Sequence, residues 1–188
     1  MLFRSNIINL YKTGSVDRTA LDLFDRFTKG IRNPPQIYQA EAEFISKGKN
    51  RPLIFSNFYQ GEAYKYDIIS SYPSIMSSGC LFPIDEGEFK HLSKDEFDNL
   101  PFYQYGIYKC SSIEGINKQF KKNKSNYYTH IDLTEARRLN LKINLNVNDG
   151  PNFLYYSRDK LLTGNELFKQ YVSELFELKK KESKLLKK

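Results

Sequence analysis

Asp67 closes an apolar stretch and opens a turn, and that junction constrains the chain more than any other part of its sequence. Residues 64–76 read Tyr-Lys-Tyr-Asp-Ile-Ile-Ser-Ser-Tyr-Pro-Ser-Ile-Met. The aromatic and β-branched residues from Glu62 to Ile69 favour a strand. Pro73 suits the first turn of a helix, and Gly79 suits its end. The prediction is a strand, a turn and a short helix, with one carboxylate where the strand stops. An Asp followed by Ser, Tyr and Pro is also an ordinary way for a strand to leave a sheet. The residue types alone leave both readings open.

Composition narrows the partners. With 188 residues, 14 Tyr and 14 Phe, the chain is long and apolar enough to bury a core. Its net charge of +7 favours an anionic partner. Nucleic acid is the natural candidate, because Lys and Arg neutralise phosphates and release counterions. Lys and Tyr interleave through residues 118–128. That pattern suits stacked bases along a strand, but it equally describes a solvated basic loop, the reading favoured here. Cys80 and Cys110 have no metal-ligand spacing and imply no disulfide, which fits a reducing compartment. His91 and His130 stand alone and read as surface or satisfied core residues. No apolar run approaches membrane-spanning length, and Met1-Leu2-Phe3-Arg4 is too short for a secretory signal. No glycine-rich phosphate loop and no internal repeat is present. The abundance of Lys, Asn, Ile, Tyr and Phe suits an AT-rich gene, as in mitochondria, linear plasmids or some viruses.

Four stretches are predicted: a helical 1–50, strands and the Asp67 motif over 51–79, an inserted small α/β unit over 80–160, and a helix over 161–188. In the first, a helix spans 15–29, capped by Ser15 or Asp17, with Leu21, Phe24 and Phe27 at helical spacing and Gly30 as its stop. A second short helix spans 38–46. Residues 51–56 and 62–69 are expected to form a hairpin. Within the insertion, 105–110 and 127–131 read as strands, and Asp132 as the cap of a helix to Leu139. Residues 143–147 and 153–156 read as two strands joined by a hairpin turn at Asn148-Asp149-Gly150-Pro151. Thr163 is expected to cap the last helix, whose Val172, Leu175, Phe176 and Leu178-Lys179 predict one apolar and one basic face.

The pattern Asp67-x-x-Ser70-x-Tyr72-Pro73-Ser74 resembles the first palm motif of family B DNA polymerases. Its wording looks most like the protein-primed branch found in phages, linear plasmids and organelles. Around it, Tyr11-Lys12-Thr13-Gly14-Ser15, Gly61-Glu62-Ala63-Tyr64, Thr129-His130-Ile131-Asp132 and Leu167-Phe168-Lys169-Gln170-Tyr171 are similar to segments of the same family. Arg51-Pro52 departs from the glycine pair that relatives usually carry there.

The resemblance implies an α/β (α+β) fold: a partial polymerase palm, an inserted subdomain and a helix leading toward the fingers. It implies that Asp67 and the carbonyl of Ile68 bind Mg²⁺, two ions serving the intact enzyme. Ser70, Ser71 and Tyr72 would line the triphosphate and sugar of the nucleotide, with Tyr72 excluding a 2′-hydroxyl. Lys179 matches a phosphate-contacting lysine, although a solvated helix end explains it as simply. The implied partners are a DNA template-primer, deoxynucleoside triphosphates and a terminal priming protein, with no membrane. The second signature, Lys-x-x-x-Asn-Ser-x-Tyr-Gly, and the third, Tyr-x-Asp-Thr-Asp, do not occur in these 188 residues. One carboxylate cannot hold two metals. The expectation is therefore a fragment of a DNA-directed DNA polymerase, inactive alone. The alternatives are a non-catalytic basic nucleic-acid-binding remnant and a small α/β structural domain.

Overall fold

The computed structural model describes residues 10–28, 36–50, 52, 54 and 57–185. In chain order the elements are α1 (Leu10–Thr13), α2 (Val16–Phe27), α3 (Gln39–Gly48), α4 (Ser71–Met76), β1 (Leu81–Pro83), β2 (Glu88–Lys90) and α5 (Lys94–Asp98). They continue as β3 (Gly106–Glu114), β4 (Tyr127–Thr129), α6 (His130–Arg138), β5 (Lys142–Leu145), β6 (Phe153–Tyr155), a 3-10 turn at Arg158–Lys160, β7 (Leu161–Thr163) and α7 (Gly164–Leu185). The chain is mixed α and β, and every described strand pair is antiparallel. No described helix is long and apolar enough to cross a membrane. Two compact units form, one from α1, α2, α4, β1, β7 and α7, the other from α3, β2 to β6, α5 and α6.

In the first unit, the predicted capping holds. The Ser15 hydroxyl accepts the Arg18 N–H at 3.2 Å and opens α2. The helix stops at Phe27, where Thr28 bonds back to the Phe24 carbonyl through both its N–H and its hydroxyl. The predicted stop, Gly30, lies outside the described residues. Phe24 meets Phe168 and Tyr171 of α7 at ring-centroid distances of 5.3 and 5.7 Å, and Phe82 of β1 packs on Phe168 at 5.2 Å. Strand β1 pairs with β7, Leu81 opposite Thr163. The Thr163 hydroxyl then accepts the Glu166 N–H while the Glu166 carboxylate takes the Thr163 N–H. This reciprocal cap starts α7 where the sequence predicts it.

The second unit is organised on β3. Strand β4 pairs along one edge, β6 and β5 along the other. Tyr108, Tyr128, Phe153 and Leu133 are fully or almost fully buried, and the Tyr108 ring stacks on Phe153 at 4.1 Å. The register of β3 slips between Cys110 and Ser112. A strand alternates faces every residue, so Tyr108 and Cys110 point to the core and Ile113 would point away. The one-residue bulge reverses that parity and returns Ile113 to the core. Burial pushes the Cys110 thiol up to about 12, so it stays protonated, while Cys80 is exposed. His130 is half-buried, its Nδ1 accepting the Gly106 N–H at 3.4 Å and its ring lying 4.3 Å from that of Tyr105. Burial lowers its pKa.

Three local expectations are corrected here. The turn at residues 148–151 joins no hairpin, because β5 and β6 do not pair with each other. Both lie in line along β3, bridged by Asn146 N–H to the Lys109 carbonyl and by Lys109 N–H to the Asn152 carbonyl. Asn152 ties the loop: its buried side chain accepts the Leu92 N–H and donates to the carbonyls of Leu92 and Asn146. The cap of α6 is Thr129, not Asp132, and helix replaces the predicted strand at His130 and Ile131. Asp132 is instead the third helical residue, and its carboxylate reaches back to the Thr129 N–H at 2.8 Å. Finally, residues 62–68 form no strand. An extended segment becomes a strand only when a neighbour takes up its backbone groups, and no described strand pairs with this one. Four of the residues predicted to be its hairpin partner, 51, 53, 55 and 56, lie outside the described residues.

Candidate functional site

Asp67 and Ile68 are exposed, on irregular backbone leading into the turn at Ile69 and Ser70. The Ser71 N–H donates to the Ile68 carbonyl at 3.3 Å, and the Ser74 N–H to the Ser70 carbonyl at 2.9 Å. Helix α4 thus begins at Ser71, two residues before the predicted Pro73, and ends at Met76 rather than Gly79. Pro73 is tolerated inside the first turn because N–H groups there need no helical partner.

Ser70 carries the sharpest local signal. It sits in the left-handed region at φ 58° and ψ 34°, and its side chain makes no capping bond. A non-glycine residue there costs roughly 1–3 kcal/mol, and such strain concentrates at functional sites. Ser70→Gly is expected to remove that strain while adding about 0.4–1 kcal/mol of unfolded-state entropy. The net expectation is a stabilisation of about 1 kcal/mol, read as a higher denaturant midpoint. A lower midpoint would show that the serine is not strained.

Between α4 and α7 lies a hollow of about 230 Å³. Ser70, Pro73 and Met76 line one side, and Tyr171, Val172, Leu175, Phe176 and Lys179 the other. Two predicted site residues, Ser70 and Lys179, are thereby brought together. Asp67, Ile68, Ser71 and Tyr72 do not line it. Tyr72 is 83% exposed, with its ring in solvent. The predicted division of α7 into an apolar and a basic face is corrected at Lys179. It lies seven residues past Val172, on the same helical face, and closes the apolar row instead of opposing it. Tyr171 and Phe176 were absent from the predicted site; their helical spacing with Val172, Leu175 and Lys179 was the available signal.

What holds α7 against the exit of α4 is backbone. The Gly164 N–H donates to the Cys80 carbonyl and the Asn165 N–H to the Ser78 carbonyl, both at 2.8 Å. A Cβ on Gly164 would stand 2.0 Å from the Met76 carbonyl oxygen. Only glycine allows this approach.

As ligands, the Asp67 carboxylate and Ile68 carbonyl are hard oxygen donors, the kind Mg²⁺ takes. The carbonyl keeps a lone pair beyond the one engaged by Ser71. They fit an ion that retains water and substrate oxygens. Among the described residues no group of three or more His, Cys, Asp or Glu is placed to hold a metal. Compared with known protein families, curated proteins and solved structures, the chain matches none.

Proposed function

We propose that this chain carries the nucleotide-binding part of a family B DNA polymerase of the protein-primed kind. The reaction is addition of a deoxynucleotide to a primer hydroxyl: an oxygen–phosphorus bond forms at the α-phosphate and pyrophosphate leaves. The observation that carries the reading is the strained Ser70, three residues past an exposed carboxylate and lining a hollow with Lys179. Ser70 occupies the third position of the turn closed by Ser71 and Ile68, and a non-glycine residue kept in such a position is the kind of strain that concentrates at functional sites.

In this reading the Asp67 carboxylate and Ile68 carbonyl would hold a Mg²⁺ ion. Two such ions would supply activation of the primer hydroxyl and neutralisation of the leaving phosphates. Ser70 and Ser71 offer hydroxyls to the triphosphate, and Lys179 offers a positive charge. Tyr72 presents a flat ring against the sugar, where a 2′-hydroxyl would collide with it. The template-primer and the terminal priming protein belong to the same proposal, as does the partial palm.

Tyr72 tests it without disturbing the fold, since its ring is exposed. In a protein that joins this chain to the second and third signatures, Tyr72→Ala is expected to raise ribonucleotide incorporation relative to deoxynucleotide at least about tenfold, the scale of a lost steric contact. The measurement is the ratio of kcat/KM for the two sugars. An unchanged ratio would remove Tyr72 from the sugar site.

A further inference from the structure

We propose that the second unit has its own binding site for a single strand of nucleic acid, centred on Lys49, Lys121, Lys122 and Lys124. These four lysines, with Asn50 and Asn123, line one basin of about 280 Å³. Four lysines lining one hollow repel each other, and an anion among them relieves that repulsion.

Among the described residues, no carboxylate forms an ion pair with any of the four. The acids nearby are committed elsewhere. Glu114 bonds to Lys142 and Asn144, although it also feels the charge of Lys122. Asp132 closes the α6 cap and accepts from Asn50, and Glu135 pairs with Arg138.

The loop bearing three of the lysines is held in place. Asn123 is buried, and its amide donates to the carbonyls of Lys47 and Tyr127, both at 2.7 Å. Its side-chain oxygen accepts the Ser125 N–H, and its own N–H donates to the Tyr128 hydroxyl. The Lys121 Nζ donates to the Pro52 carbonyl at 3.0 Å. A preformed basin loses little entropy on binding. The segment is a basic loop with Lys121, Lys122 and Lys124 exposed, as favoured on sequence grounds, and the buried Asn123 fixes its backbone.

The neighbouring hollow sets the ligand class. It shares Asn50 and Lys121 with the basin, measures about 200 Å³, and is lined as well by Gln119, Phe120, Ile131, Asp132 and Glu135. The niche's two carboxylates repel a phosphate but accept from a base's amino group, so lysines beside a niche with an aromatic ring, amides and carboxylates match one unpaired strand, its backbone on the lysines and a base in the niche.

The test uses the full chain and a fluorescently labelled single-stranded oligonucleotide, with neither metal nor nucleoside triphosphate present. Its outcome is therefore separate from that of the Tyr72 experiment. Changing Lys49, Lys121, Lys122 and Lys124 together to Ala is expected to weaken binding at least about tenfold at low salt and to reduce the slope of log K against log[salt] by about 3, near 0.7 per phosphate contact. A control changing Lys65, Lys94, Lys169 and Lys180 to Ala removes the same charge elsewhere and is expected to do less. Equal losses in both variants, an unchanged slope, or no binding by the parent chain would each overturn the site. Duplex bound as tightly as the single strand would overturn the assignment of ligand class.

Discussion

Asp67→Asn is expected to lower nucleotide addition about a thousandfold or more, equivalent to roughly 4 kcal/mol of lost transition-state stabilisation. The substitution keeps the shape of the side chain and removes its charge. Asp67 is exposed and lies on irregular backbone, so no cavity opens and no buried partner is stranded. Stability should therefore stay within about 0.5 kcal/mol of the parent. That separation gives the experiment its power: activity falls while the melting curve does not move. The assay needs a protein in which this chain is joined to the second and third signatures. Glu62→Gln, an exposed acid five residues earlier, serves as the control and is expected to be neutral. Normal incorporation by Asp67→Asn would defeat the metal role, and with it the polymerase reading.

Gly164→Ala is the second large effect, and its sign decides between two opposing forces. Gly164 is the first residue of α7. By helix propensity alone, alanine there would gain up to about 1 kcal/mol. The new Cβ would meet the Met76 carbonyl oxygen at 2.0 Å, the Met76 carbonyl carbon at 2.9 Å and the Ser78 carbonyl oxygen at 3.0 Å. All three are backbone atoms, and no side-chain rotation clears them. Relief requires α7 to move off α4, which breaks the bonds from Gly164 and Asn165 and opens the hollow that holds Ser70 and Lys179. Overpacking of this kind costs about 3 kcal/mol or more when the neighbour is rigid. The expected result is a large drop in denaturant midpoint. A midpoint at or above that of the parent would mean that propensity outweighs sterics here.

Much of the local structure was legible because it depends on near neighbours in the chain. Ser15 and Thr163 cap helices by bonding groups three residues away, and the sequence pattern of a cap is short. The start of α6 was missed by three residues because Thr129 and Asp132 act as a reciprocal pair, and only the direction of their bonds tells which is the cap. The hairpin at residues 148–151 was misread for a different reason. An Asn-Asp-Gly-Pro turn fits a hairpin, but β3 is long enough to accept β5 and β6 one after the other, so the turn became a bridge.

At the candidate site the division is similar. The order of Asp67, Ser70 and Tyr72, and the apolar spacing along α7, follow from the residues themselves. They determine that a carboxylate precedes a turn and a short helix, and that Val172, Leu175 and Phe176 share a helical face. The absence of a strand over residues 62–68, the seat of Gly164 against Met76 and the basin of lysines around the buried Asn123 were decided by the folded chain alone. Each depends on backbone or charge brought together from separate parts of the sequence. Local periodicity records only a residue's own neighbours along the chain, so it carries no information about which distant carbonyl, carboxylate or strand will arrive beside it.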